Sequence, residues 1–170
     1  GEGDGFASDF VIFSRQKEFA EIEEIEKLKT ELKVLFKIFQ NNGWDFGYRV
    51  GYEITRYINF HMLISEDQSW KTALDAQIVQ KLMPKLNGSA GRLNGILKSL
   101  AIYCTSDFEN NEEKADNIDE KLNSGAGIDP VKLYKDHKEN ESKEFSLTSE
   151  KTYRMWLAAK ANGFTSFAEN

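Results

Sequence analysis

Between Arg15 and Asn41, the side chains Phe19, Ile22, Ile25, Leu28, Leu32, Leu35, Phe36 and Phe39 recur at steps of three and four residues. That spacing puts them on one face of a helix with about 3.6 residues per turn, and a one-sided apolar stripe of this length has to be covered by other elements. Glu23–Lys27 and Glu26–Lys29 are placed to pair on the opposite, wet face, and Gly43 supplies a stop. The same periodicity predicts a second helix over Gly47–Met62, with Val50, Ile54, Tyr57, Ile58 and His61 on its apolar stripe. A third is predicted from Trp70 to Met83, with Ala73, Leu74, Ile78 and Leu82 inside and Asp67 or Ser69 as its cap. Pro84 lacks the amide proton a helix needs and disfavours helical dihedrals at Met83, so this helix kinks or ends there. Asn87-Gly88-Ser89 reads as a turn whose serine caps a fourth helix, Ala90–Thr105, with Leu93, Ile96, Leu97, Leu100 and Cys104 buried. At 40% hydrophobic and 12% aromatic residues, the chain has material for a real core.

The pattern then changes. Residues 107–122 hold seven acids (Asp107, Glu109, Glu112, Glu113, Asp116, Asp119, Glu120) against two lysines, a local balance of −5 in a chain of net charge −6. With little periodicity around it, this stretch is expected to be a mobile polar insertion with a helical turn near Ile118 and Leu122. A short helix is expected from Pro130 to about His137, with proline at its first position. A last helix is expected from Glu150 to Ala161, capped by Thr148 or Ser149 and burying Tyr153, Trp156 and Leu157. Gly163 ends it, and Phe164-Thr165-Ser166-Phe167 alternates like a strand or an extended tail. The organisation expected is an all-α helical bundle: an N-terminal arm over 1–14, containing a short apolar run at 6–13, a bundle over 15–106, an insertion over 107–147, and a returning helix and tail over 148–170.

Several chemistries are excluded. The charge outside the acidic stretch nearly cancels, a poor match for non-specific DNA binding. No apolar run nears the ~20 residues of a membrane helix, and the start lacks the regions of a signal peptide. One cysteine, Cys104, permits no intrachain disulfide and suits a reducing cytoplasm. His61 and His137 stand apart with no zinc spacing, Gly88-Ser89-Ala90-Gly91 is not a nucleophile elbow, and the acidic stretch lacks the order of a calcium loop. No metal site and no catalytic residue is expected within the chain.

Two phrases carry a more specific signal. Phe46-Gly47-Tyr48-Arg49 opens the second helix, which continues through Glu53, Ile54 and Arg56; Ala73-Leu74-Asp75 and Gln80-Lys81-Leu82-Met83-Pro84-Lys85-Leu86-Asn87-Gly88-Ser89 follow. Leu147-Thr148-Ser149-Glu150-Lys151, Met155-Trp156 and Gly163-Phe164-Thr165-Ser166-Phe167 come later in the same order. Together these resemble the C-terminal helical lid of McrB-type AAA+ NTPases, the motors of modification-dependent restriction systems. The resemblance covers about Leu32–Leu100 and Phe145–Phe167. It implies that Arg49 is a nucleotide-sensing arginine, with Gly47 letting the backbone come close and Arg56 on the same face reaching the nucleotide or a neighbouring subunit. A guanidinium suits this task because it stays charged and meets two phosphate oxygens at once. From the residues alone, Arg49 pairing with Glu53 one turn on and Arg56 solvated near Glu53 are the more ordinary outcomes. Lys81, Lys85 and Arg92 flank the Leu-Met-Pro-Lys-Leu-Asn-Gly-Ser turn and form a basic turn or simply its wet side.

No Gly-x-x-x-x-Gly-Lys-[Ser/Thr] occurs, so the chain has no phosphate-binding loop of its own. The resemblance therefore implies an upstream NTPase core binding GTP or ATP with Mg2+, neighbouring subunits of a ring, a McrC-like endonuclease, and DNA contacted through other domains. The chain alone is expected to hydrolyse no nucleotide. The rival reading is a stand-alone helical interaction module that binds a protein partner through an exposed aromatic face.

Overall fold

The computed structural model describes residues 22–65, 69–106, 111–140 and 144–170. The arm over 1–14, the start of the first helix, the candidate cap Asp67, and Asp107 and Glu109 lie outside the described residues. Seven α-helices are described: α1 (Ile22–Asn41), α2 (Tyr48–Ile64), α3 (Trp70–Gln77), α4 (Ala90–Thr105), α5 (Lys114–Asn123), α6 (Pro130–Glu139) and α7 (Ser146–Asn162). The chain is an all-α bundle with one two-stranded ribbon, β1 (Asn87–Ser89) and β2 (Phe164–Ser166).

The stripe on α1 buries Ile25, Leu28, Leu32, Leu35 and Phe39, while Phe36 is half-buried and Ile38, outside the predicted stripe, joins the core. α4 is the central helix. It buries Leu93, Ile96, Leu97, Leu100, Tyr103 and Cys104, and α1, α5, α6 and α7 all pack on it. Ser69 caps α3 by accepting from the Thr72 amide, and Ser89 caps α4 by accepting from the Arg92 amide at 3.2 Å. On α1, Lys27 lies 3.5 Å from Glu24.

Pro84 acts less abruptly than a plain stop. α3 passes into a π-turn over Ile78–Leu82 and a 3-10 turn over Met83–Lys85. The Met83 amide donates to Ile78 O, five residues back. A proline ring in a regular helix would strike the carbonyl four residues earlier, that of Gln80, and the wider turn relieves this.

Two expectations need correction. The stretch around Ile118 is not a mobile excursion where it is described. α5 lays Ala115 and Ile118 against α1 and α4, with Ile118 only 4% exposed, and Lys37 meets Asp116 at 2.8 Å. Three apolar side chains in an acidic helix (Ala115, Ile118, Leu122) are enough to seat it, because each falls on one face.

The second correction concerns the last helix, on which Leu157, expected inside, is 41% exposed. The helix begins at Ser146, so Thr148 and Ser149 lie within its first turn and are buried. Their expected capping role passes to Asp75 on α3. One carboxylate oxygen accepts from the Leu147 amide at 3.0 Å, the other from the Thr148 amide at 2.9 Å and the Thr148 hydroxyl at 2.6 Å. Asp75 is thus an N-cap supplied from more than seventy positions away in sequence.

At its other end α7 stops at Gly163, whose φ of +72° is the left-handed conformation that favours glycine. The chain then pairs antiparallel with Asn87–Ser89 in the register Asn87 with Ser166, Gly88 with Thr165 and Ser89 with Phe164. Backbone bonds from Ala90 N to Gly163 O and from Phe167 N to Leu86 O extend the pairing.

Candidate functional site

Gly47 is the N-cap of α2 and provides no side-chain cap to the first-turn amides. Gly47 has an extended backbone (φ −74°), and a Cβ built there would meet nothing within 4 Å. The chain itself therefore makes no demand for glycine at this position. Arg49, the second residue of α2, is exposed and makes no ion pair among the described residues. Its expected neighbour Glu53 is engaged elsewhere, 3.1 Å from Lys81. Arg56 lies two turns beyond Arg49, about 10 Å along the axis, on the same side of the helix. It is exposed, with its guanidinium 5.7 Å from the centre of the Tyr52 ring.

Arg56 also lines a shallow groove of about 360 Å³ between α2 and the π-turn, with Glu53, Tyr57, Gln77, Gln80 and Lys81. Gln77 is fully buried; its amide donates to Gln80 at 3.1 Å, while its Oε1 has no partner among the described residues. Next to the groove, the outer side of α2 carries Tyr57, Phe60, Leu63 and Ile64, all exposed. The remaining basic residues around the turn are occupied: Lys85 lies 4.9 Å above Phe46 and Arg92 4.6 Å above Trp44. The structure thus brings Arg56 and Lys81 together, and leaves Lys85 and Arg92 as packing cations on aromatic rings.

Sequence reasoning missed the polar centre of the bundle. Glu31 is wholly buried, and accepts from the Tyr103 hydroxyl at 2.7 Å. Lys114 from α5 is also buried, its amine 4.5 Å from the Tyr103 ring centre. The signal was present in α1, since Glu31 falls between Leu28 and Leu35 on the apolar face. Burial, then Glu31 beside it, pushes the Tyr103 phenol well above its ordinary value. Burial likewise pushes the Cys104 thiol well up, with Asp75 adding to the effect. Burial lowers Lys114, against the pull of Glu31.

These shifts fix a pH dependence. Tyr103 and Cys104 hold their protons more tightly in the folded state, so their contribution to stability is complete below the unfolded values. It is lost as pH rises through about 9 to 10 toward the folded values. Lys114 acts oppositely, its penalty fading as pH rises. Urea midpoints should therefore fall above about pH 9, and Cys104→Ala should remove the thiol's part of that fall. A midpoint that is level through this range, with the thiol open to modification at neutral pH, would refute the buried setting.

Among the described residues, no three His, Cys, Asp or Glu side chains converge as a metal site requires, and no helix is long and apolar enough to cross a membrane. Comparison with curated proteins and with solved structures finds no match. A family model described as "Domain of unknown function (DUF8727)" matches residues 7–164, spanning α1 to α7 and the start of β2. The chain belongs to the DUF8727 family.

Proposed function

We propose that this chain is the helical lid of a McrB-like AAA+ NTPase, contributing a sensor arginine and subunit contacts but no catalysis of its own. The observation that carries the reading is the setting of Arg49: exposed, in the first turn of α2, behind a glycine with no steric role in the chain and without an ion pair among the described residues. A guanidinium at a helix start adds its charge to that of the open amides, and the two together suit a terminal phosphate. The ribbon adds support, because Asn87-Gly88-Ser89 and Phe164-Thr165-Ser166, two separated phrases of the resemblance, pair with each other. The reading brings with it an upstream core that binds GTP or ATP with Mg2+, ring neighbours, a McrC-like endonuclease, DNA bound by other domains, and a cytoplasmic setting. In it Gly47 and Arg49 meet the nucleotide, and Arg56 stands at the far edge of that contact.

The test joins the chain to its NTPase core. Arg49→Ala should slow NTP turnover by about 100-fold while leaving the helical circular dichroism signal unchanged. The chain without the core should hydrolyse neither GTP nor ATP. Normal turnover in the variant removes Arg49 from the mechanism. One observation favours the second reading, a stand-alone interaction module: the exposed apolar residues on the outer side of α2.

A further inference from the structure

We infer that the groove between α2 and the π-turn, with the apolar end of α2 beside it, is a docking site for an acidic, amphipathic segment of a partner protein. Three independent features meet there. The first is contiguous apolar surface. Tyr57, Phe60 and Ile64 follow one another at steps of three and four residues, with Leu63 beside them; Phe60 is 63% exposed and Ile64 66%. Helical side chains at that spacing form a strip that another helix or an extended segment covers.

The second is charge. Glu53 in the groove is neutralised by Lys81 at 3.1 Å, which leaves Arg56 as the uncompensated charge on the rim among the described residues. Arg56 is exposed, held over Tyr52, and placed to take a carboxylate in a two-point contact. The charge outside residues 107–122 nearly cancels, so an arginine unpaired among the described residues, beside an apolar strip, gives this face a local positive charge.

The third is a buried acceptor without a donor among the described residues. Gln77 is 0% exposed and lines the groove, and it is its Oε1 that lacks the partner. A buried carbonyl left unsatisfied is unfavourable, and an amide N–H from an occupant satisfies it. It lies at the start of the π-turn, where the wider helix leaves irregular surface. A flat lipid surface covers apolar side chains but brings no N–H donor into a groove, so the acceptor favours a polypeptide. The inference shares Arg56 with the lid reading but does not rest on it, since neither Arg49 nor Gly47 takes part and Phe60 and Gln77 have no role in the nucleotide contact.

The experiment pans a phage-displayed library of random 16-residue peptides on the full chain, with counter-selection against Arg56→Glu/Phe60→Ser. Both positions are exposed, so the variant should keep the wild-type melting curve. Enriched peptides should carry Asp or Glu next to apolar residues spaced three or four apart. A labelled consensus peptide should bind at least about tenfold more weakly to Arg56→Glu and to Phe60→Ser, each measured singly by fluorescence anisotropy. Its Lys-for-Glu counterpart should prefer Arg56→Glu. A consensus without carboxylates, or no enrichment, overturns the inference. So does a concentration-dependent dimer abolished by Phe60→Ser, which makes the face a contact between copies, or binding to anionic vesicles in place of peptide.

Discussion

Asp75→Ala should destabilise the fold by about 3–4 kcal/mol, the largest effect expected from a single polar side chain in this bundle. The carboxylate is 4% exposed and takes three hydrogen bonds from the first turn of α7. Alanine leaves the amides of Leu147 and Thr148 and the Thr148 hydroxyl without this acceptor, inside a turn that is already closed to solvent at Thr148. For a chain of this length, the loss corresponds to a fall in Tm of about 10 °C. Asp75→Asn keeps one acceptor oxygen and should lose about half as much. Urea unfolding followed by circular dichroism measures both. A change below about 1 kcal/mol would mean that water reaches the turn and replaces the carboxylate. The anchored turn starts the helix that leads into β2, which pairs with β1.

Ile118→Ala should cost about 2–4 kcal/mol, a result that separates a seated helix from a solvated excursion. Ile118 is 4% exposed between α5, α1 and α4, and its removal opens a void against helices that are themselves tightly packed. In a mobile acidic stretch, the same substitution would change stability by less than about 0.5 kcal/mol. The surface pair Lys37–Asp116 cannot account for such a loss, because its two side chains are about half exposed (46% and 55%) and water screens the attraction. Asp116→Ala is therefore the control, and should leave the unfolding midpoint almost unmoved.

Helices that depend on signals within a few residues of themselves are legible in the amino-acid order. Ala90–Thr105 follows from the apolar period together with the Ser89 cap, and the end of α7 follows from the left-handed turn at Gly163. Pro84 marks the break after α3, though not that a π-turn absorbs it. At the candidate site, the resemblance singles out Gly47, Arg49 and Arg56, and the structure leaves both arginines exposed on α2 with Gly47 at its N-cap. The groove is not legible there, since it depends on how closely the π-turn approaches α2 and on the Glu53–Lys81 pair that joins them.

By itself, then, the sequence determined the all-helical class, the ends of most helices, and the turns at Ser89 and Gly163. These come from periodicity, capping and glycine geometry, all of which act over one or two turns of chain. Only the tertiary structure decided that Asp75 caps α7, that Asn87–Ser89 pairs with Phe164–Ser166, that Glu31 is buried against Tyr103, and that an acidic helix joins the core. Each of these joins residues many turns apart. A carboxylate has the same local signature whether it faces water or a distant helix start, and its partner is selected only when the packing of the apolar faces brings the two together.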